Sequence, residues 1–189
     1  IEAAASGLFR ERGYAATSVR DIARALDIQG PSLYAHVASK EDLLWSIVLR
    51  AADRFTDAVA PLALGNGPPA ERLAAMIRAH VRVITAEQPN ASTFLHEWRF
   101  LGQQRRAEVA ARRDAYEALF RRVIADGVTA GELETPDPKL AATAILSALN
   151  GIAGWYRSDG PLSPEQLAEQ LADLFLRALR PTDRRRTDR

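Results

Sequence analysis

The sequence predicts an all-α protein in which three short N-terminal helices precede a larger helical domain. Alanine-rich segments with apolar residues three and four positions apart recur along the chain, as expected for amphipathic helices. No segment shows the sustained alternation of apolar and polar residues that is typical of a strand. Glycine and proline separate the segments, most clearly at residues 65–69, Gly-Asn-Gly-Pro-Pro. We therefore expect four helices before this break and about five after it.

The composition excludes several classes of protein. The chain has 189 residues, 47% of them hydrophobic and 26% charged, with a net charge of +1, so it can bury a core and is not expected to be disordered. It has no cysteine, which excludes disulfides, thiolate metal sites and a cysteine nucleophile. It also lacks an apolar run of about 18 residues, the length of a membrane span. We expect a cytoplasmic protein without a cofactor and, because the chain begins at Ile1 rather than Met, a segment that precedes it.

Local signals place the individual helices. The first is predicted over residues 1–12, followed by Gly13 as a left-handed residue. Ser18 and Asp21 have the spacing of a capping box at the start of the second helix, which ends near residue 26. The other predicted helices cover 30–36, 39–61 (capped by Ser39 and ended by Pro61), 69–87, 91–101, 103–129, 137–157 and 163–179.

The second and third helices carry the pattern of a helix-turn-helix. Apolar residues form one stripe along the second helix and the turn, and Leu33 of the third helix is placed to close the contact. Ala23 stands where a small side chain lets the two helices approach. Such a pair can present its second helix to the major groove of DNA. An ordinary helical hairpin would have the same periodicity, so the residues alone leave both interpretations open.

Residues 4–44 resemble the N-terminal domain of the TetR family of transcriptional regulators. The resemblance is nearly without gaps and rests on Leu8-Phe9, Gly13-Tyr14, Thr17-Ser18-Val19, Asp21-Ile22-Ala23, Ser32-Leu33-Tyr34, His36 and Ser39-Lys40-Glu41-Asp42-Leu43-Leu44. The sequence departs from the family at Asp27, where glycine is usual, and at Gln29, where a capping serine is usual. The resemblance implies a DNA-binding domain at 1–46, a ligand-binding and dimerisation domain at 47–180, and double-stranded operator DNA as a partner. The basic tail at 181–189 is expected to be disordered.

The resemblance and the side-chain chemistry together give a set of candidate DNA contacts. Phosphate contacts fix a reading module on the duplex, and base contacts specify the sequence. Gln29 can pair with adenine and Ser32 with either kind of base pair. Gly30 and Pro31 allow a close approach to a thymine methyl. The candidate phosphate contacts are Thr17, Ser18, Tyr34, His36 and Lys40, and Arg20 completes the predicted set.

The second half carries candidate effector-binding residues. Large apolar and aromatic residues with few polar groups could line a cavity for a small apolar ligand, although most such stripes are core. This set is Phe55, Met76, His80, Ile84, Phe94, Trp98, Tyr116, Phe120, Asn150 and Trp155. Arginines between residues 99 and 122 could hold a phosphate or carboxylate, or could form a solvated helix face. Segments 96–101 and 155–163 are similar to those of TetR-type regulators that sense acyl-coenzyme A, which makes an acyl-coenzyme A or a fatty acid the expected effector.

Small residues on the eighth predicted helix favour a dimer surface. Glycine inside a helix lowers helix stability by about 1 kcal/mol relative to alanine. The presence of Gly151 and Gly154 therefore calls for an explanation, such as close helix approach or room for a ligand. The candidate dimer residues are Ala144, Ser147, Ala148, Gly151, Leu167, Leu171 and Leu174. The resemblance implies a homodimer joined by a four-helix bundle, and two-fold symmetry suits a palindromic operator. The alternative is that both stripes are core of one chain.

We expect a ligand-responsive regulator, in the simplest form a homodimeric repressor that leaves its operator when the effector binds. Two other interpretations stay open. A metal-responsive regulator would need His80, His96 and Glu97 to converge. A helical small-molecule-binding protein would not use its N-terminal helices for DNA. An enzyme is not expected, because the sequence has no nucleophile elbow, Walker loop, dinucleotide glycine pattern or zinc-protease motif.

Overall fold

The computed structural model describes residues 1–182, apart from the side chain of Pro31, and contains no strand in that range. The all-α prediction is therefore confirmed. The helices are α1 (Glu2–Arg12), α2 (Val19–Ala25), α3 (Gly30–Tyr34), α4 (Lys40–Ala63), α5 (Pro69–Ala86), α6 (Gln88–His96), α7 (Gln103–Thr129), α8 (Pro138–Trp155) and α9 (Pro164–Ala178). A 3-10 helix, Trp98–Phe100, follows α6. Of the tail predicted to be disordered, residues 183–189 lie outside the described residues.

The chain divides into two compact units that do not follow the order of the sequence. The first unit contains residues 1–55 and 83–114, and the second contains residues 56–82 and the chain from residue 115 onward. Helices α4, α5 and α7 therefore contribute residues to both units. The domain boundary predicted between residues 46 and 47 stays a prediction.

The core of the first unit joins the three N-terminal helices to the start of α4. Phe9, Ile22, Leu33 and Leu44 are each at most 1% exposed. Burial of one such side chain contributes about 1.5–3 kcal/mol. Helix α1 also packs against α6, so a segment from the middle of the sequence completes this unit.

Side-chain caps fix where the first helices begin. The capping box of α2 is present, because Ser18 Oγ accepts a hydrogen bond from the Asp21 amide at 3.2 Å and Asp21 Oδ2 accepts one from the Ser18 amide at 2.9 Å. Ser39 Oγ accepts from the Asp42 amide at 3.0 Å in the same way at the start of α4. Gly13 has a positive φ of 83°, but its ψ of 154° is extended. The prediction that Gly13 adopts the left-handed helical conformation is therefore wrong.

Two helices differ from their predicted bounds because of proline. Helix α4 continues past Pro61 to Ala63. The missing amide of Pro61 costs one hydrogen bond in the last turn, and the complete burial of Ala63 favours the longer helix. Helix α6 starts at Gln88, earlier than predicted, since Pro89 lies in the first turn, where no intrahelical donor is needed. It also ends earlier, at His96, and the chain tightens there into the 3-10 helix.

The core of the second unit lies among residues of α5, α7 and α8. Its fully buried large side chains include Leu73, Met76, Ile77, Phe120, Ile124 and Leu149. A Cβ atom at Gly127 would lie 2.5 Å from Leu133 Cδ1. The absence of a side chain at this position therefore lets the chain fold back closely after α7.

Candidate nucleic-acid interface and effector-binding residues

Helix α3 is anchored by one buried residue and presents polar residues to solvent. Leu33 is 1% exposed and packs in the cluster that contains Ile22. Gln29 and Ser32 are exposed, and Tyr34 is 56% exposed. The predicted base-reading side chains thus point outward from a helix whose apolar residue fixes it to the body of the unit, which is the arrangement that groove reading requires.

The turn between α2 and α3 is tight. Asp27 has a φ of 54°, the one positive φ at a non-glycine position within residues 1–182. The amide of Ile28 donates to the Ala23 carbonyl at 3.0 Å, and Ala23 is 3% exposed. Aspartate tolerates this left-handed conformation better than most residues do, which explains how it can replace the usual glycine.

The structure places the predicted phosphate contacts in different environments. Ser18, Arg20 and His36 are exposed, although the Ser18 hydroxyl also takes part in the capping box. Thr17 is 1% exposed, and its hydroxyl donates to the Gly13 carbonyl at 2.9 Å. Its side chain supports the loop before α2, so the DNA contact predicted for it stays a prediction. Gly30 is half-buried, and the side chain of Pro31 lies outside the described part of the chain.

Lys40 is engaged within the protein rather than extended into solvent. Its Nζ donates to the carbonyl oxygens of Tyr14 at 2.9 Å and Thr17 at 2.8 Å. It also lies 4.1 Å from the centre of the Tyr14 ring. Partial burial lowers the pKa of Lys40 from its ordinary value. The ammonium therefore fixes the α1–α2 loop, and its predicted phosphate contact stays a prediction.

The same loop is tied to the segment that follows α6, a link that the sequence analysis missed. The Tyr14 amide donates to Glu97 Oε2 at 3.1 Å, and the Tyr14 ring stacks on Phe100 at 5.5 Å between ring centres. Glu41 Oε1 accepts from the Gly102 amide at 3.1 Å. No spacing in the sequence connects these residues, because 83 positions separate Tyr14 from Glu97.

Arg105 connects α7 to the start of α4. Its guanidinium lies 2.5 Å from Asp42 Oδ1 and 3.2 Å from Glu41 Oε1. Hydrogen bonds from Ser39 and Arg105 lower the pKa of Asp42. This arginine, at the edge of the predicted cationic region, is thus committed to an ion pair within the first unit.

The predicted effector-binding residues of the first unit form an aromatic group. Phe55 and Phe94 are buried, with their ring centres 5.7 Å apart, and Ile84 is fully buried. Trp98 is half-buried and lies beneath the guanidinium of Arg113, 5.5 Å from its ring centre.

The predicted effector-binding residues of the second unit include a buried polar group. His80 Nδ1 lies 2.8 Å from the Tyr116 hydroxyl, and Asn150 also forms a hydrogen bond with His80. Burial lowers the pKa of His80 to about 3, against a smaller opposing effect of Asn150, so the imidazole is neutral near pH 7. Burial raises the pKa of Tyr116. Met76 and Phe120 are fully buried, whereas Trp155 is 56% exposed.

No group of three or more histidine, aspartate or glutamate residues in the described range is arranged to hold a metal ion. Within the same range, no helix has the length and apolar character needed to cross a membrane.

Two family models match the chain. The model of bacterial regulatory proteins of the tetR family matches residues 1–47, and that of the tetracyclin repressor-like C-terminal domain matches residues 66–179. The chain belongs to the TetR family. It is a ligand-responsive, DNA-binding transcriptional regulator. The predicted family and this general function are confirmed.

Known members of the TetR family match over nearly the whole chain. The solved structure of PfmR from Thermus thermophilus is 36% identical, with a TM-score of 0.85, over 93% of this chain and 96% of that one. The transcriptional repressor KstR2 of Mycobacterium tuberculosis is 28% identical over 91% of this chain and 87% of the relative. AibR, solved with isovaleryl coenzyme A and operator DNA, is 29% identical, with a TM-score of 0.82, over 95% of this chain and 96% of that one.

In this TetR-family protein, most of the predicted dimer residues lie on the surface of the described chain. Ala144, Ser147, Ala148 and Gly151 of α8 are exposed, and Leu174 of α9 is 58% exposed. Leu171 is half-buried. Leu167, by contrast, is only 4% exposed and belongs to the core of its own chain.

Two large apolar residues that the dimer prediction did not include extend the exposed stripe of α8. Leu140 is 64% exposed and Trp155 is 56% exposed. They lie four residues before Ala144 and four residues after Gly151, so helical periodicity places them on the same face of α8.

Proposed function

We propose that this TetR-family protein is a homodimeric, non-enzymatic repressor of the cytoplasm that an acyl-coenzyme A or fatty acid releases from a palindromic operator. The observation that carries the DNA part is the exposure of Ser32 on α3, a helix anchored by Leu33, and of Gln29 just before it. The effector class rests on the likeness to AibR, whose structure contains isovaleryl coenzyme A. The apolar character of the candidate effector residues in each unit agrees with it.

The glycines of α8 support the homodimer. A Cβ at Gly154 would meet no heavy atom within 4 Å, and one at Gly151 would meet only Trp155 Nε1, at 4.0 Å. Packing within the described chain thus gives no reason for two residues that each weaken a helix by about 1 kcal/mol. Close approach of a second copy supplies such a reason. Leu140, Trp155 and Leu174 would supply the apolar area that an interface needs.

In the proposed complex, the contacts divide by chemistry. Gln29 and Ser32 read base edges, and Gly30 and Pro31 lie close to the groove. Arg20, Ser18, Tyr34 and His36 contact phosphates. Thr17 and Lys40 act mainly through the loop that they hold.

The effector acts by shifting a population of conformations. Helix α4 has two arrangements, and the ligand binds one of them more tightly. The other arrangement sets the two copies of α3 at the separation that fits the operator, so the ligand lowers its population. Helix α4 is the natural element for this change, because its residues belong to both compact units. A differential affinity of about 100-fold would correspond to about 2.7 kcal/mol of coupling.

A binding experiment tests this proposal. The purified chain is used to select a bound sequence from random duplexes, and the affinity for the selected duplex is then measured by fluorescence anisotropy. We expect a two-fold symmetric site, loss of sequence preference in Gln29→Ala, and release by isovaleryl or dodecanoyl coenzyme A but not by coenzyme A alone. An asymmetric site, or tight acyl-coenzyme A binding that leaves DNA affinity unchanged, would overturn it.

A matched control separates base reading from general damage. Ala35→Ser changes an exposed residue in the turn just after α3, outside the proposed contacts. This variant should keep both the affinity and the sequence preference of the unchanged protein.

A further inference from the structure

The arginines of α7 are not equivalent. Arg105 pairs with Glu41 and Asp42, and Arg112 pairs with Asp53 at 2.6 Å. Further along the helix, Arg121 lies 3.8 Å from Glu117, and Arg106 and Arg122 are exposed. Arg113 is half-buried and has no ion-pair partner among the residues that the structure describes.

Aromatic rings hold the Arg113 guanidinium in place. Its Cζ atom lies 5.6 Å from the centre of the Phe94 ring and 5.5 Å from that of Trp98. Both distances are within the range of a cation–π contact. The Phe94 ring is itself fixed, since it is only 7% exposed and lies 5.7 Å from Phe55 between ring centres. The cation is thus oriented by apolar groups and not by a carboxylate.

The hydrogen-bonding capacity of this guanidinium is not used up. Its Nη1 atom is buried and has no acceptor within the described part of the chain. Burial lowers the pKa of Arg113, and the Asp114 carboxylate only partly opposes this effect. The group keeps its charge near pH 7, because the ordinary pKa of an arginine lies far above neutrality. A buried donor on a charged group raises the free energy of the protein unless an acceptor forms a hydrogen bond with it.

We propose that Arg113 is the anion anchor of the effector site and binds the carboxylate or phosphate group of the effector against the faces of Phe94 and Trp98. This inference rests on the proposed ligand-released function and adds the residue that recognises the charged end of the ligand. The Phe55–Phe94 pair lies beside the anchor and receives the apolar part. Arginine suits this role because its planar fork donates two parallel hydrogen bonds to a carboxylate or phosphate.

Calorimetric titration of the full chain with three ligands tests the anchor. The ligands are dodecanoate, dodecanoyl coenzyme A and the neutral dodecanol. In Arg113→Met, which keeps the apolar stem and removes the charge, we expect affinity for at least one anionic ligand to fall by about 10–100-fold. Affinity for dodecanol should stay within about threefold of the unchanged protein, since its apolar contacts remain. Arg113→Lys should recover part of the loss.

The pattern of losses identifies the anion. A loss with dodecanoate but not with dodecanoyl coenzyme A assigns Arg113 to the carboxylate, and the reverse assigns it to a phosphate of coenzyme A. Arg112→Met is the matched control, because this neighbouring arginine is already paired with Asp53 and Glu108 and should leave all three affinities unchanged.

Two results would overturn the inference. One is an equal change for the neutral and the anionic ligands, or no change for any of them. The other is a melting temperature of ligand-free Arg113→Met that is several degrees below that of the unchanged protein. Removing a cation that stabilises the fold would lower the melting temperature. Removing a guanidinium whose acceptor is supplied only by the ligand should leave the melting temperature equal or higher. If the unchanged protein binds none of the three ligands, the proposed effector class fails together with the anchor. If it binds them and Arg113→Met changes nothing, only the anchor fails.

Discussion

At the scale of single residues, Lys40 shows how a side chain expected to face DNA can be used inside the protein. Its ammonium donates to two carbonyl oxygens that precede α2. Those carbonyls lie at Tyr14 and Thr17, where the chain turns between α1 and α2. We therefore treat Lys40 first as a residue that shapes the reading module.

Lys40→Met is expected to lower the free energy of unfolding by about 1–3 kcal/mol, because two partly buried carbonyls lose a charged donor. Operator affinity should fall for every DNA sequence, since the loop that positions α2 loosens. Urea denaturation measures the first effect. Arg20→Met is the control: this exposed arginine should weaken DNA binding and flatten its salt dependence without changing stability. Equal stability of Lys40→Met and the unchanged protein would instead favour a direct phosphate contact.

His80 gives this protein a measurable dependence on pH. Its pKa is about 3 in the folded chain, and an exposed histidine has a pKa near 6.5. The unfolded state therefore binds a proton that the folded state does not bind between these two values. Stability is fully retained above about pH 6.5 and declines as the pH falls toward 3, by up to about 1.4 kcal/mol per pH unit.

His80→Gln should remove this slope, because the amide can still bond to the Tyr116 hydroxyl and does not titrate. Denaturation at pH 7 and pH 5 measures the difference. Carboxylates with lowered pKa values, such as Asp42, lose their contribution to stability mainly below about pH 5, outside this comparison. An identical slope in both proteins would show that His80 is protonated in the folded state.

At the scale of elements, the α2–α3 turn depends on one backbone conformation. Asp27→Val is expected to destabilise the protein by about 1–2 kcal/mol, because a β-branched residue is strained at a φ of 54°. Asp27→Gly should be neutral or slightly stabilising. Ala35→Val, at an exposed turn position with negative φ, is the control. Thermal melting compares the variants, and a neutral Asp27→Val would mean that the turn adopts a different conformation in solution.

The helix bounds show which helix ends are determined by neighbouring residues in the sequence. The sequence predicted α7 at residues 103–129, and the structure has Gln103–Thr129, because a long run of strong helix formers is limited on both sides by glycine-containing turns. The bounds of α4 and α6 were less accurate. Their ends depend on the burial of Ala63 and on the packing of the segment after His96, neither of which a local pattern contains.

At the scale of the whole molecule, the proposed homodimer leads to a prediction about two glycines. Gly151→Ala and Gly7→Ala should each stabilise a helix by about 1 kcal/mol, since a Cβ is sterically free at both positions. Only Gly151→Ala should also weaken dimerisation, and Gly151→Leu should abolish it. Analytical ultracentrifugation measures the dimer and anisotropy measures operator binding. A Gly151→Leu protein that remains dimeric would place the interface elsewhere.

The sequence by itself determined the features that depend on neighbours in the chain. The capping box of Ser18 and Asp21 and the buried Leu33 follow from spacing and side-chain chemistry within a few residues. The helix-turn-helix motif that contains them was enough to recognise the TetR family, because helix capping and amphipathic packing depend on residues close together in the sequence.

Only the tertiary structure decided the roles that depend on what lies opposite a side chain. Lys40 and Thr17 turned inward because backbone carbonyls were within reach, and Leu167 entered the core of its own chain. Among similar arginines of α7, Arg113 alone in the described chain faces two aromatic rings with a buried donor left over. Burial and pairing join residues far apart in the chain, and periodicity contains no information about such distances.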